Sequence, residues 1–144
     1  RTRELCMRWN ELRSLAADPL CTIGAHTLTH PMLTKHATEV AREEIAASKA
    51  IIEEQLGCDV RHLSFPVGDA GSAGPREFSL ARAAGFETAV TTRPGVLFAD
   101  HLAHLTALPR ISVNGLFQRR GDVAALLSGV PTALQNRGRR LNVA

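Results

Sequence analysis

Tyrosine is missing from this chain, tryptophan occurs once, and aromatic residues make up only 4% of it. Platforms for base stacking are therefore scarce. The excess of 17 Lys plus Arg over 14 Asp plus Glu, much of it in Arg119, Arg120, Arg137, Arg139 and Arg140, does not make the chain read as a binder of nucleic acid. A basic tail is ordinarily a solvated terminus. Long apolar runs are missing too: none approaches the ~20 residues that cross a bilayer, and no basic-then-apolar leader opens the chain, so no transmembrane segment is expected. Arg1, not Met, stands first, which reads as a trimmed or processed chain. Cys6, Cys21 and Cys58 are odd in number and lack C-x-x-C spacing, which argues against a disulfide framework and against a cysteine zinc site. They lean toward a reducing compartment, and a cytoplasmic location is the expectation. The glycine-rich run from Pro66 to Gly74 contains neither G-x-x-x-x-G-K-[ST] nor G-x-G-x-x-G, so it reads as a flexible site rim rather than a phosphate cradle.

What is present suffices for one packed domain: 144 residues, 44% of them hydrophobic. Leu5, Trp9, Leu12 and Ala16 recur at helical spacing and predict an amphipathic helix ending before Asp18-Pro19, with Trp9 in the core. Leu20 to Ala25 is short, apolar and β-branched in its middle, the pattern of a buried strand. Between Thr38 and Leu56 the stripe Ala41, Ile45, Ser48, Ile52 and Leu56, widened by Val40, Ala47 and Ile51, predicts a long helix that Thr38 caps at its start and Gly57 at its end. Glu43, Glu44, Glu53 and Glu54 lie on its flank and read as a solvated face. Then come a strand at His62 to Phe65, a helix at Pro75 to Ala84, a strand at Glu87 to Thr92, a strand near Leu108 to Val113 and a short helix at Asp122 to Ser128. Beyond Pro131 there is no periodicity. Strands alternating with helices in this order argue for parallel βα units whose functional groups collect at the C-terminal ends of the strands.

One such end carries Cys21-Thr22-Ile23-Gly24-Ala25-His26-Thr27-Leu28-Thr29-His30-Pro31, an apolar run closing in two histidines four residues apart. Imidazole is the commonest ligand for zinc and similar ions, and this spacing brings two rings to one side of a turn. With 6 His in 144 residues, chance alone gives roughly 0.2 such pairs per chain, so the spacing by itself also fits two surface histidines on a loop.

Gly24-Ala25-His26-Thr27-Leu28-Thr29-His30-Pro31 resembles the H-[ST]-x-x-H-P motif of the polysaccharide deacetylases, carbohydrate esterases with a NodB-type domain. Ser64-Phe65-Pro66-Val67-Gly68 is similar to the family's R-x-P-Y-G motif. Ala81 to Thr92 is similar to its helix-glycine-strand segment. The resemblance implies an α/β fold, part of a distorted (β/α) barrel, with residues 1–129 forming the C-terminal part of the deacetylase domain and 130–144 a basic tail. It implies a metal-dependent hydrolase that removes N-acetyl groups from a polysaccharide or oligosaccharide. It also implies a divalent cation, zinc foremost, on His26 and His30, an oxyanion donor in the Val67 N–H, and substrate contacts from Phe65, Pro66 and Arg110.

The resemblance has gaps. The family's T-F-D-D-type motif, source of the third metal ligand and of the catalytic base, should precede the histidines, yet the only acids before Thr22 are Glu4, Glu11 and Asp18. An N-terminally truncated chain is therefore expected, inactive as it stands and self-associating through the barrel edge so exposed. Ser64 replaces the family's arginine, Thr91-Thr92-Arg93-Pro94-Gly95 departs from D-x-x-D-W, and no L-x-H motif supplies an acid. His101 and His104 are nearby candidates for that acid, against the plainer reading of solvated loop histidines. The departures resemble the poly-N-acetylglucosamine and exopolysaccharide branch more than the chitin deacetylases. A domain that kept the barrel and binds carbohydrate without catalysis is the alternative.

Overall fold

The computed structural model describes residues 6–143. Its elements are helix α1 (Trp9–Ala16), helix α2 (Thr38–Leu56), strand β1 (His62–Ser64), helix α3 (Pro75–Ala83), strand β2 (Thr88–Pro94), strand β3 (Leu108–Arg110), helix α4 (Arg120–Leu127) and helix α5 (Val130–Gln135). The strands form one parallel sheet in the order β1-β2-β3. His62 lies opposite Thr88 and Ser64 opposite Val90, and Val90 in turn lies opposite Leu108. The sheet is open, so the α/β, partial-barrel expectation holds.

Helix α2 has the predicted ends, and Ala41, Ile45 and Ser48 of its predicted stripe are buried. Gly57 terminates it at φ 68°, its N–H returning to Glu53 O at 2.8 Å. Val40 and Ile51, expected to widen the stripe, are exposed, and the N-cap is Ala37 with no side-chain cap rather than Thr38. Leu33, Ile45, Val60, Leu63, Phe65, Phe78 and Phe86 build the core between helices and sheet, with the Phe65 and Phe78 rings 5.6 Å apart in a tilted pair.

Two expectations near the start fail. Trp9 is 41% exposed, because α1 buries none of its residues and is tied to the body by Arg13, which donates to Gln55 O and Gln55 Oε1. Leu5 lies outside the described residues. The strand expected from Leu20 to Ala25 shrinks to a single parallel bridge between Ala25 and Leu63. A buried strand needs cover, and Leu20 is 95% exposed, so only Ala25, at 2%, behaves as the pattern required.

Residues 130–143 carry more structure than the expected aperiodic tail. Helix α5 begins there, Asn136 Nδ2 donates to Pro94 O, Arg93 Nη1 donates to Asn142 O, and Arg140 lies over the Phe98 ring at 5.3 Å. Pro131 sits in the first turn of α5, where its missing N–H costs nothing, so it opens a helix instead of marking the end of order.

Candidate active-site cleft

The C-terminal end of the sheet opens into a cleft of about 490 Å³ lined by His26, His30, Ser64, Phe65, Val67, Thr92 and Arg110. The parallel topology assembles it: the Ala25 bridge delivers His26, β1 delivers Ser64 and Phe65, β2 delivers Thr92 and β3 delivers Arg110. Functional groups from distant parts of the sequence therefore meet at the strand ends, as in other parallel βα proteins.

His26 is held by a 2.6 Å contact between its Nδ1 and Ser64 O. A carbonyl oxygen only accepts, so Nδ1 carries a proton, and the neutral ring is the tautomer with its lone pair on Nε2. Ring centroids of His26 and His30 are 4.9 Å apart with planes at 71°. The chain between them turns through left-handed backbone at Thr27 (φ 63°) and His30 (φ 60°), which is what folds the second ring back beside the first. The two residues thus present adjacent imidazoles to the cleft. Among the described residues, no group of three or more His, Cys, Asp or Glu is disposed to hold a metal ion.

Val67, also left-handed at φ 59°, sits in a tight turn closed by Gly68 N–H to Pro66 O at 2.6 Å. Thr92 clamps the turn from β2: its Oγ1 donates to Val67 O at 2.7 Å and its N–H to Gly68 O at 2.9 Å. The Val67 N–H itself has no hydrogen-bond partner among the described residues. Gly68 is required by sterics, since a Cβ there would lie 2.9 Å from Thr92 N and 3.1 Å from Phe65 O, at φ +72°. Of the expected substrate-contacting residues, Arg110 is exposed at the rim. Phe65 is 1% exposed, its ring committed to the core, so it offers the cleft little but backbone. Pro66 is buried and shapes the turn without lining the cleft.

Several sequence expectations are overturned here. The glycine-rich run is not a loose rim: Ser72 and Ala73 are fully buried, the N–H groups of both donate to Asp69 O, Thr34 N–H donates to Ser72 O, and Arg93 Nη2 donates to Ala73 O. Buried backbone groups must find partners, and they do so here within the loop and from its neighbours. Neither His101 nor His104 lines the cleft, and of the two only His101 is buried away from solvent, His104 being half-buried. His101 is 2% exposed, accepts Phe98 N–H on Nδ1 at 3.0 Å and stacks on the Phe98 ring; His104 lines a separate cavity with Phe78, Ser79 and Arg82. Arg93, in the segment that departs from D-x-x-D-W, is buried against Phe78 at 5.2 Å and bridges Ala73 to Asn142. Its pKa is lowered, chiefly by desolvation, with the Asp69 charge opposing.

The four helix carboxylates also divide. Glu43 and Glu54 are exposed as read, whereas Glu44 accepts both the Leu28 and Thr29 N–H groups at 2.9 Å and the Thr29 hydroxyl at 2.6 Å. Desolvation is the largest single influence on Glu44 and pushes its pKa up, but the hydrogen bonds from Thr29 and Leu28 together outweigh it and hold the group below the usual glutamate value. Glu53 accepts Val60 N–H and pairs with Lys49. A signal for Glu44 was legible: it stands at i+3 from Ala41 and beside Ile45, so a carboxylate occupies the edge of the buried stripe.

The polysaccharide deacetylase family profile matches residues 2–89, which takes in both histidines, strand β1 and Val67. The chain belongs to the polysaccharide deacetylase family. No curated protein matches it. Among solved structures, it is similar to the deacetylase PplD of Streptococcus pyogenes, determined in complex with acetate, at 20% identity and TM-score 0.72 over 87% of this chain and 51% of that one. A polysaccharide deacetylase from Bacillus cereus matches at 19% identity and TM-score 0.73, over 85% of this chain and 37% of that one. IcaB from Ammonifex degensii matches at 23% identity and TM-score 0.68, over 82% and 52%. At these identities the likeness shows the fold, and the chain spans about half or less of each structure it matches.

Proposed function

We propose that this chain carries the histidine half of a metal-dependent carbohydrate N-deacetylase, a hydrolase that removes N-acetyl groups from a polysaccharide or oligosaccharide of N-acetylglucosamine type. The observation that carries the reading is the meeting of His26, His30 and the unpartnered Val67 N–H in one cleft at the strand ends. In this reading His26 and His30 hold the cation, and zinc is an ion that imidazole ligands suit. A cation held there supplies Lewis acidity toward the acetamide carbonyl.

The remaining roles belong to the chain's own groups. Ser64 O keeps His26 in the tautomer that leaves Nε2 unprotonated. Val67 N–H donates to the oxyanion that develops as the carbonyl becomes tetrahedral, and Thr92 pre-sets the orientation of that turn, so little reorganisation accompanies the reaction. Arg110, a guanidinium at the rim, stabilises negative charge. Among the described residues no carboxylate lines the cleft, so residues 6–143 supply no carboxylate base at this site. Ser64 in place of the family's arginine and Thr91 to Gly95 in place of D-x-x-D-W resemble the exopolysaccharide branch, and an exopolysaccharide substrate is accordingly part of the proposal. The three free cysteines support a reducing, cytoplasmic setting.

The test is acetate release from N-acetylglucosamine oligomers by the whole gene product that contains this segment, with and without a chelator. Chelator-sensitive release, abolished in His30→Ala, is expected; release unaffected by both sinks the metal reading. The cleft's lack of a lining carboxylate favours a second reading, a carbohydrate-binding domain without catalysis, which predicts oligomer binding but no acetate from the whole gene product.

A further inference from the structure

The two histidines reach the cleft from separate anchors. His26 is fixed from β1 through Ser64 O. His30 has no equivalent: among the described residues no hydrogen bond reaches its ring, so its place is set by the loop that carries it. That loop passes through left-handed backbone at Thr27 and at His30 itself. Such conformations persist in residues other than glycine where the surroundings over-determine them. Among the described residues, the hydrogen bonds made by residues 27–30 all run to one side chain of α2. Glu44 Oε2 accepts the N–H groups of Leu28 and Thr29, both at 2.9 Å, and its Oε1 accepts the Thr29 hydroxyl at 2.6 Å. Two successive backbone N–H groups converging on one oxygen form an anion-binding nest, filled from within the chain. The helix that presents Glu44 is 19 residues long and seated on the core through Ala41, Ile45 and Ser48, so the carboxylate is held by a rigid element.

We propose that Glu44 is the positioning residue that sets the His30 ring against His26, so that the affinity of the pair for a divalent cation is controlled from helix α2. The cation clause rests on the metal reading above; the placement of His30 does not. The chemistry distinguishes position from charge. Glu44→Ala removes all three hydrogen bonds. Glu44→Gln loses the charge but keeps the shape: its amide oxygen accepts the two N–H groups and its amide nitrogen donates to Thr29 Oγ1. Glu44→Asp keeps the charge on a stem one methylene too short to reach the loop.

The experiment uses the isotopically labelled chain and two NMR readouts, ring-to-ring NOEs between His26 and His30 without metal, and titration with Zn2+ alone. Wild type should show the NOEs, Glu44→Ala should lose them and bind Zn2+ about 10–100-fold more weakly, and Glu44→Gln should retain both. The neighbouring exposed Glu43→Ala serves as the control for loss of helix charge and should match wild type. Unchanged NOEs in Glu44→Ala overturn the proposal, as does a Glu44→Gln variant as impaired as alanine, since charge rather than position would then be at work. Should Glu44→Ala fail to fold, Glu44→Asp takes its place with the same expectation and the same refuting result. If wild type binds no Zn2+ while the NOEs behave as expected, the metal reading fails and the positioning role stands.

Discussion

Gly68→Ala isolates the turn that presents the Val67 N–H. Two penalties add at this position. Left-handed backbone costs a residue bearing a Cβ about 1–2 kcal/mol, and the new methyl would sit 2.9 Å from Thr92 N and 3.1 Å from Phe65 O, against backbone that cannot swing aside. Steric insertion of that kind adds about 1–3 kcal/mol. The sum is about 2–5 kcal/mol. Gly57 provides the internal comparison: its φ is +68°, nearly the same, but nothing lies within 4 Å of the Cβ it would gain. Gly57→Ala should therefore lose only the first penalty, about 1–2 kcal/mol. Chemical denaturation of both variants, with unfolding slopes checked for equality, gives the difference directly. The reasoning predicts that Gly68→Ala is the less stable by at least about 1 kcal/mol. In the whole gene product it should also lose turnover about 10²–10³-fold if the Val67 N–H is displaced, the usual loss for one oxyanion donor. Equal destabilisation at the two glycines would refute the claim that the Thr92 clamp defines this turn.

Three further outcomes are expected. The residue 1–144 chain should release acetate from N-acetylglucosamine oligomers at no measurable rate and bind Zn2+ weakly, because two imidazoles without a carboxylate leave the ion short of a ligand and of charge; chelator-sensitive acetate release by this chain would refute it. Exposed Leu20, Met7, Trp9 and Leu15, together with open sheet edges, should make the chain self-associate, and sedimentation showing a clean monomer at high concentration counts against this. Glu53 has its pKa lowered, first by the Val60 N–H, with desolvation opposing and Lys49 helping, so its stabilising contribution is present above the ordinary glutamate pKa and fades as pH falls through the lower folded value. Denaturation midpoints followed from pH 7 to pH 3 should fall less steeply in Glu53→Gln than in wild type, and identical slopes would contradict that.

Local chemistry made the long elements legible before any coordinates. Helix α2 could be read because its apolar spacing and Gly57 point the same way, and β2 because it is a continuous run between a glycine stop and a loop. The segment before His26 misled because an apolar run reads as buried whether or not anything covers it, and nothing covers Leu20. His101 misled for the opposite reason: a histidine in a loop gives no local sign that a phenylalanine three residues back will stack on it. In the cleft, His26, His30, Val67 and Arg110 were identifiable from motif order, and the structure brings them together. Thr92 was not, since its role depends on a contact 25 residues away that no local pattern records, and at Glu44 the pattern shows a carboxylate at the edge of the buried stripe without revealing its partners 15 and 16 residues away.

The most direct test of the metal claim is a crystal of the chain soaked in millimolar Zn2+ and measured on both sides of the zinc absorption edge. The account predicts one strong anomalous peak between His26 Nε2 and the His30 ring, at about 2.0–2.1 Å from a nitrogen of each, lost in His30→Ala. A peak elsewhere, or none at the pair in crystals that bind zinc at other sites, would contradict it.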